Sequence, residues 1–535
     1  MRHLKKKINY TEFSTKTKVI LICLFLSLGG FLYGYNFGVL TGVLAMPQFL
    51  EDMEFNLMSQ ADQQRQGSLL ISTMMAAAFV GSLAAGPLAD IIGRKGLTLL
   101  GTTIFVFGDV LQVGADSIAM VYGGRVMTGT SVGMISVVVP LYQSEIAPKE
   151  MRGRLVSTIQ LSIGLGMGLA YWIDYAGLKV QGSMSWRLPF GLQLIPAIIF
   201  FVGMLATPES PRYLVQKQQD RRAIEVLALI RGDGKRDHPD VLMEFTEIKQ
   251  SITYERQHTS GDYWYLFKRG NDNNQRRLLL GMAVQIFQQL TGVNAIMLYA
   301  PMLFETTGAS GGNATLFGLT IANGISGIIN CVSAIPPLII MDRWGRRPTL
   351  VMGSIICSMC LIVMSIISDG RGYTIAFMVT MYVYIFSYGC SWGPAGWAYP
   401  TELYSQGVRA KALGITSAAS WIATFAVIQL SPFILDQVQW KFYTIYAVIC
   451  AVLALVIYKY LPETMGKSLE EVDLIFTCDF NTYDHAVHHP QTAAEALERL
   501  EHMHNKQSHL FNFGTSGISN NLPPNAIRPD NTNNV

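Results

Sequence analysis

Charged residues are scarce in this chain of 535 residues: they make up 14% of it, whereas hydrophobic residues make up 50%, and the mean hydropathy is +0.30. Soluble domains carry about 25% charged residues. The composition therefore excludes a soluble protein of this length and predicts a membrane protein. The net charge of +3 is also small, which excludes the strongly basic surface of a nucleic-acid-binding protein.

Histidine is missing from every long apolar segment, and the sequence contains neither a nucleophile motif nor a cluster of metal ligands. These absences exclude an enzyme and predict that the protein holds no metal and no cofactor. The cysteines do not indicate a disulfide-stabilised fold either. Six of the seven cysteines lie within apolar segments, so no disulfide framework is expected.

Long apolar segments are abundant, and each has about 20 residues or more, the length that crosses a bilayer as a helix. Six precede residue 207 and six follow residue 277. The predicted fold is an all-α membrane protein with twelve transmembrane helices in two halves of six. The segments lie at 18–45, 67–91, 96–115, 120–141, 155–176, 188–206, 278–304, 315–341, 348–368, 372–401, 411–434 and 440–461.

The two halves repeat the same motifs. Gly86-Pro-Leu-Ala-Asp-Ile-Ile-Gly-Arg-Lys95 returns as Leu338-Ile-Ile-Met-Asp-Arg-Trp-Gly-Arg-Arg347. Such repeats are typical of secondary transporters, whose halves enclose a substrate site near the middle of the membrane. A second repeated motif places an acid seven residues before an arginine: Glu145 with Arg152, and Glu402 with Arg409.

Lysines and arginines concentrate in alternate short loops and before the first segment. The positive-inside rule places these loops in the cytosol, so we expect both termini and the central loop on that side, with the plasma membrane as the expected location. The predicted divisions are a cytosolic N-terminal segment (1–17), a first half (18–206), a cytosolic linker with short amphipathic helices (207–277), a second half (278–461) and a mostly disordered cytosolic tail (462–535).

The repeated charges predict a network at the cytosolic helix ends. A carboxylate and a guanidinium group pair when helix ends meet, and such pairs lock one conformation. We expect Glu145, Arg152, Glu402 and Arg409 to pair between the halves when the cavity faces outward. The network comprises Asp90, Arg94, Glu145, Arg152, Asp342, Arg346, Glu402 and Arg409.

These repeats, together with Pro140-Leu-Tyr-Gln-Ser-Glu-Ile-Ala-Pro148, Pro208-Glu-Ser-Pro-Arg-Tyr213 and Gln288-Gln-Leu-Thr-Gly-Val-Asn294, resemble the sugar porter branch of the major facilitator superfamily over about residues 20–472. The resemblance is to fungal-type monosaccharide transporters. It implies alternating-access transport of a small neutral sugar, with a hexose such as glucose as the default. A transporter-like nutrient receptor is an alternative, although a receptor is expected to need a longer tail.

A neutral sugar needs amides that donate and accept hydrogen bonds, and an aromatic face for its apolar side. On a straight helix Gln289 and Asn294 lie about 140 degrees apart. An unwound turn at Thr291-Gly292 is the feature that could bring them together, as discontinuous helices do in transporters. Helix-to-helix hydrogen bonding is the alternative for any one amide. The resemblance assigns six residues to the sugar site: Gln160, Gln288, Gln289, Asn294, Asn330 and Trp397.

The chain departs from the resemblance in the first segment, where Asn36 stands at the position of the aspartate that proton-coupled members carry. Arg125 then lacks its usual partner, which is costly inside a membrane. Asp109 lies at the same predicted depth and is the expected partner; the alternative is that Asp109 faces a polar neighbour or extends toward the membrane surface. If Asp109 is a fixed counterion of Arg125, the protein is a facilitator, and we favour this reading because Asn36 cannot titrate. If Asp109 accepts and releases a proton, the protein is a proton symporter.

One modification motif is present. The sequon Asn313-Ala-Thr315 falls in an outward loop. That loop is only about ten residues long, and so close to the membrane we expect little glycosylation.

Overall fold

The computed structural model describes residues 15–148, 150–258, 263–267, 273–298, 316–368, 374–405, 407–438, 440–467, 472 and 476. All regular elements in these ranges are helical, because a backbone in hydrocarbon has to satisfy its hydrogen bonds internally. Asn313 lies outside the described residues, as do residues 1–14 and most of the tail, so the predictions for the glycosylation site and the disordered tail concern parts that are not described.

Ten helices in the described part are long and apolar enough to cross a membrane. One of them, Gln60–Val113, contains two crossings that meet at Gly93, and the shorter apolar helix Gly324–Ile339 supplies one more. The twelve predicted crossings are therefore present, and we call them spans 1 to 12 in chain order.

The first six spans run as follows: Thr15–Leu26 with Leu28–Val43 (span 1), Gln60–Val113 (spans 2 and 3), Ile118–Ile146 (span 4), Arg152–Gly177 (span 5) and Met184–Leu192 with Leu194–Ala206 (span 6). The second six are Asn274–Leu290 with Val293–Leu298 (span 7), Leu316–Ser333 with Pro337–Trp344 (span 8), Arg346–Ser368 (span 9), Thr374–Cys390 with Trp392–Leu403 (span 10), Arg409–Val438 (span 11) and Lys441–Tyr460 (span 12).

Five spans consist of two helices each. Ser27 and Gln193, at the interruptions of spans 1 and 6, keep helical dihedral angles, whereas span 7 has the unwound turn that the sequence analysis expected at Thr291-Gly292. Gly292 in span 7 has φ +87°, a left-handed conformation that glycine adopts at little cost. Gly93 and Gly345 occupy equivalent positions in the two repeats and have φ +86° and +91°. Both turn the chain at the end of the bundle that carries Arg94 and Arg346, which we call the basic end.

The two halves contact each other along two seams. Span 5 meets span 8 where a β-carbon on Gly327 would lie 2.5 Å from Cα of Gly168. Span 2 meets span 11 near the basic end, where a β-carbon on Gly86 would lie 2.9 Å from Cα of Lys411. Small residues at such seams allow helix backbones to approach closely.

Short helices link the halves and pack against the first half: Pro211–Gln216, Asp220–Arg231 and Pro239–His258. The predicted amphipathic pattern is visible in the burial of Leu227, Ile230 and Val241. Arg231 donates from Nη2 to the carbonyl of Ile146 at 2.9 Å. The remaining short elements are Pro47–Asp52, Phe55–Leu57 and Tyr263–Phe267.

Candidate functional site

A small cavity lies where the halves meet, lined by spans 1, 4, 5 and 10. Tyr33, Ser136 and Ile159 line it from the first half, and Trp397 lines it from the second half. Trp397 lies on the short second helix of span 10, which begins again after a break at Ser391. A cavity that both halves enclose changes shape when the halves move.

Trp397, which lines this cavity, contacts Gln160, and the sequence analysis assigned both residues to one site. The indole Nε1 of Trp397 donates to Oε1 of Gln160 at 3.4 Å. Gly393 explains how span 10 approaches so closely, because a β-carbon at that position would lie 2.8 Å from Cδ of Gln160.

The break in span 7 brings Gln289 and Asn294 together. The first helix ends at Leu290, Gly292 takes the left-handed conformation, and the second helix begins at Val293. Nδ2 of Asn294 then donates to Oε1 of Gln289 at 2.6 Å. The unwound turn that the sequence analysis expected at Thr291-Gly292 is thus present.

The amides of span 7 also bond to neighbouring spans. Nε2 of Gln288 donates to the carbonyl of Trp392 at 3.0 Å, and Nε2 of Gln289 donates to Oγ of Ser420 at 3.0 Å. In this conformation they therefore make the helix-to-helix bonds that were the alternative to sugar contact. Asn330 lies against span 5, where its Nδ2 is 4.0 Å from Sδ of Met167, and its Oδ1 is buried without a hydrogen-bond partner.

Three aromatic and hydroxyl residues were missed from the predicted site. Tyr33 and Trp421 make an edge-to-face contact with ring centroids 5.2 Å apart. Nε1 of Trp421 donates to Oγ of Ser136 at 3.1 Å. Each of these contacts joins the two halves. A tryptophan between Ser420 and Thr424 was the available signal, since polar neighbours of an aromatic ring inside a span favour a site.

The charge clusters at the basic end form within each half. Nη2 of Arg94 lies 2.7 Å from Oε1 of Glu145, and Nη2 of Arg346 lies 2.7 Å from Oε1 of Glu402. The pairing expected between the halves for Glu145, Arg152, Glu402 and Arg409 in the outward-facing conformation stays a prediction. Gly93 and Gly345 directly precede the two arginines and turn the chain there.

The other predicted members surround these two pairs. Asp90 lies 3.7 Å from Arg94. Nε of Arg152 donates to the carbonyl of Ser144 at 3.1 Å, and Nε of Arg409 donates to the carbonyl of Tyr404 at 3.0 Å. The side chain of Asp342 lies outside the described residues.

Glu209 and Glu463 belong to these clusters and were not predicted. Oε1 of Glu209 accepts from the backbone N–H of Arg94 at 3.1 Å, and Oε1 of Glu463 accepts from that of Arg346 at 2.9 Å. Each carboxylate therefore caps the first N–H groups of a helix. Burial raises the pKa of Glu209. The repeated Pro-Glu after each half was the signal that could have identified both.

Asp109 and Arg125 are joined through two amides instead of the direct ion pair that the sequence predicted. Nη1 of Arg125 donates to Oδ1 of Asn36 at 2.9 Å, and Nδ2 of Asn36 donates to Oε1 of Gln193 at 3.2 Å. Nε2 of Gln193 donates to Oδ1 of Asp109. The direct pair is absent because Asn36 and Gln193 lie between the two charged groups.

Residues 22–476 match the family described as "Sugar (and other) transporter". The chain belongs to this family. It is 30% identical over 488 residues to the MFS glucose transporter mfs1 of Aspergillus flavus, covering 86% of this chain and 89% of that protein. It is 32% identical over 470 residues to the high glucose sensor RGT2 of Saccharomyces cerevisiae, covering 85% of this chain and 60% of the sensor.

A solved structure has the same fold. The proton:xylose symporter XylE of E. coli, bound to 6-bromo-6-deoxy-D-glucose, aligns with a TM-score of 0.77 and 24% identity over 86% of this chain and 100% of that chain. The fold is therefore that of the major facilitator superfamily. Family membership and the apolar helices identify a multi-pass membrane transporter of the sugar porter type and not an enzyme.

Proposed function

We propose that this protein carries a hexose such as glucose across a membrane by alternating access of its two halves. The observation that carries the proposal is the contact between the halves at Trp397, whose indole lines a small cavity and bonds to the amide of Gln160. A glucose transporter among the relatives supports a hexose as substrate.

The amides of span 7 supply the remaining polar contacts in this proposal. Gln288 and Gln289 exchange their present bonds to spans 10 and 11, and Asn294 exchanges its bond to Gln289, for bonds to sugar hydroxyl groups. Asn330 contributes its buried carbonyl oxygen, which has no partner in this conformation. The sugar hydroxyl groups replace the partners that these amides release, so sugar binding does not leave the amides themselves unsatisfied.

The basic end faces the cytosol in this proposal, because lysine and arginine accumulate on the cytosolic side of membrane proteins. Both termini then lie in the cytosol. The plasma membrane is the proposed location, since uptake of an external sugar takes place there.

Uptake of radiolabelled glucose, xylose and a polyol into cells that lack their own hexose transporters tests this function. We expect saturable glucose uptake that unlabelled glucose inhibits. Cells that display the protein at their surface and take up none of the three compounds would contradict the proposal.

Sugar sensing is a second candidate because a glucose sensor of Saccharomyces cerevisiae is among the relatives. The same cells separate the two functions. A sensor binds glucose without carrying it inward, so labelled glucose would bind to purified protein while uptake stayed at the level of cells without the protein.

A further inference from the structure

The buried hydrogen-bonded chain from Arg125 to Asp109 connects four spans. Asn36 lies on span 1, Asp109 on span 3, Arg125 on span 4 and Gln193 at the break in span 6. All four side chains are at most 1% exposed. Each N–H donor in the chain points away from the guanidinium group and toward the carboxylate. Hydrogen bonds aligned in this way polarise one another, so the charge of Asp109 affects the bond at Arg125.

The contacts of Asp109 differ from those of a fixed counterion. A carboxylate that only neutralises a buried arginine is expected to contact it through charge-assisted hydrogen bonds. Oδ1 of Asp109 instead accepts from Gln193, and Oδ2 is buried without a hydrogen-bond partner. Nε and Nη2 of Arg125 are also without a hydrogen-bond partner. One carboxylate oxygen is therefore available to receive a proton without breaking an existing bond.

The charged and titratable groups around Asp109 come from two other spans in the described part of the chain. Span 4 contributes Arg125, whose positive charge interacts with the carboxylate. Span 1 contributes Tyr35, which lies within electrostatic range of both Asp109 and Asp174, and its hydroxyl donates to the carbonyl of Pro189 at 2.8 Å. Span 6 contributes the neutral Gln193.

We propose that Asp109 binds and releases a transported proton, so that sugar movement through this protein is coupled to protons. The inference rests on the proposed sugar transport. Oδ2 of the ionised carboxylate takes a proton from water on one side, and the same O–H bond breaks when the proton passes to water on the other side. No other bond is made or broken, and no oxidant or reductant is needed.

Protonation also links Asp109 to movement of the spans. A neutral carboxyl group attracts the Gln193 amide less strongly than a carboxylate does. The bonds from Gln193 to Asn36 and from Asn36 to Arg125 weaken with it, because they are aligned in one chain. Spans 1, 3, 4 and 6 are thus held together more firmly when Asp109 is ionised.

Purified protein in liposomes, with radiolabelled glucose as the probe, tests the proposal through two measurements. Counterflow exchanges labelled for unlabelled glucose and needs no pH gradient. Accumulation above equilibrium needs a pH gradient, imposed with the outside acidic. We expect the unaltered protein to show both, and Asp109→Asn to keep counterflow within about three-fold while losing all accumulation above equilibrium.

Two further variants separate proton binding from a structural role. Asp174→Asn is the matched control, because Asp174 is also a buried carboxylate of the first half but lies outside the chain to Arg125; it should keep accumulation. Asn36→Asp combined with Asp109→Asn places a carboxylate against Arg125 and should restore accumulation.

Distinct results overturn the two proposals. Counterflow without accumulation in the unaltered protein, or equal accumulation in Asp109→Asn, overturns the proton role and leaves sugar transport standing. Loss of counterflow in Asp109→Asn, with no recovery in the double variant, assigns Asp109 a structural role and also overturns the proposal. If the unaltered protein shows neither counterflow nor uptake of glucose, that result contradicts the proposed function itself.

Discussion

At the scale of single residues, the polar groups near the centre of the bundle are already engaged with one another. Nε2 of Gln289 donates to Ser420, and its Oε1 accepts from Asn294. A sugar hydroxyl must replace such bonds, and the net gain per hydrogen bond is only about 0.5–1.5 kcal/mol. Recognition therefore depends on several amides acting together on one ring.

Replacing Gln289 or Asn294 by alanine tests this arrangement. We expect either variant to raise the KM for glucose uptake roughly ten-fold, equivalent to about 1.4 kcal/mol, because a sugar hydroxyl loses its partner. Gln285→Ala is the control. Gln285 is a buried amide of the same helix, but it donates to the carbonyl of Gly396 and lies outside the predicted site. The KM of Gln285→Ala for glucose uptake should equal that of the unaltered protein, even if less of the variant reaches the cell surface. Unchanged KM values in both test variants would show that the site is assigned wrongly.

The identities of candidate site residues could be predicted from the sequence, but their partners could not. Amides within apolar spans are costly and therefore visible as candidates. Whether Asn36 contacts Arg125, and whether Gln193 then reaches Asp109, depends on how four spans pack. Local sequence carries no information on that packing. The absence of an acid at position 36 alone favoured a facilitator, whereas the geometry of Asp109 favours proton coupling.

At the scale of elements, breaks inside spans were predictable only where the backbone itself demands them. Gly292 gave such a signal, and so does the Pro336-Pro337 pair at the break in span 8. The interruption of span 1 at Ser27 has no such signal in the sequence. Ser27 keeps helical dihedral angles, and its Oγ bonds to the carbonyl of Cys23 one turn earlier and to Thr158 of span 5, so the interruption is slight and one tertiary contact accompanies it. The same holds for span 6, where Gln193 links spans 1 and 3.

Gly292→Ala tests the importance of the break in span 7. The variant places a side chain in a left-handed conformation, which costs roughly 1–2 kcal/mol, and its β-carbon would lie 2.7 Å from the ring of Tyr446. We expect a lower thermal unfolding midpoint in detergent and less protection by glucose. Gly182→Ala is the matched control because Gly182 has φ +75° but nothing within 4 Å of the added carbon. Equal midpoints for the two variants would argue that the contact with Tyr446 is unimportant.

At the scale of the whole molecule, two kinds of contact hold the basic end. Close helix contacts at glycine residues join the halves, and one of them lies at Gly86, beside Ala410 and Lys411. Buried ion pairs fix the helix ends within each half, and they involve Arg94 and Arg346. The duplication visible in the sequence predicted both clusters and twelve spans. It did not predict which carboxylate each arginine selects, because that depends on the turn at Gly93 or Gly345.

Neutralising Glu402 tests whether the cluster of the second half keeps the basic end closed. Oε1 of Glu402 pairs with Arg346, and Oε2 accepts from Oγ1 of Thr464 at 2.6 Å. Removing one partner of a buried ion pair costs about 3–5 kcal/mol, since the other charge stays buried. Glu402→Gln retains the shape of the side chain but loses the charge. We expect it to loosen span 10 and favour the conformation that is open at the basic end.

The measurement is the labelling rate of a cysteine introduced as Ala410→Cys, with an impermeant maleimide supplied from the basic end. Ala410 is 2% exposed, and its carbonyl lies beside Gly86 at the seam, so labelling reports opening of that seam. We expect a several-fold faster rate in Glu402→Gln after subtraction of labelling at the native cysteines. Asp116→Asn is the control, because Asp116 forms an exposed pair with Arg187 away from this end, and exposed pairs contribute little. If Glu402→Gln labels no faster than this control, the cluster fixes helix ends without determining which face of the transporter is open.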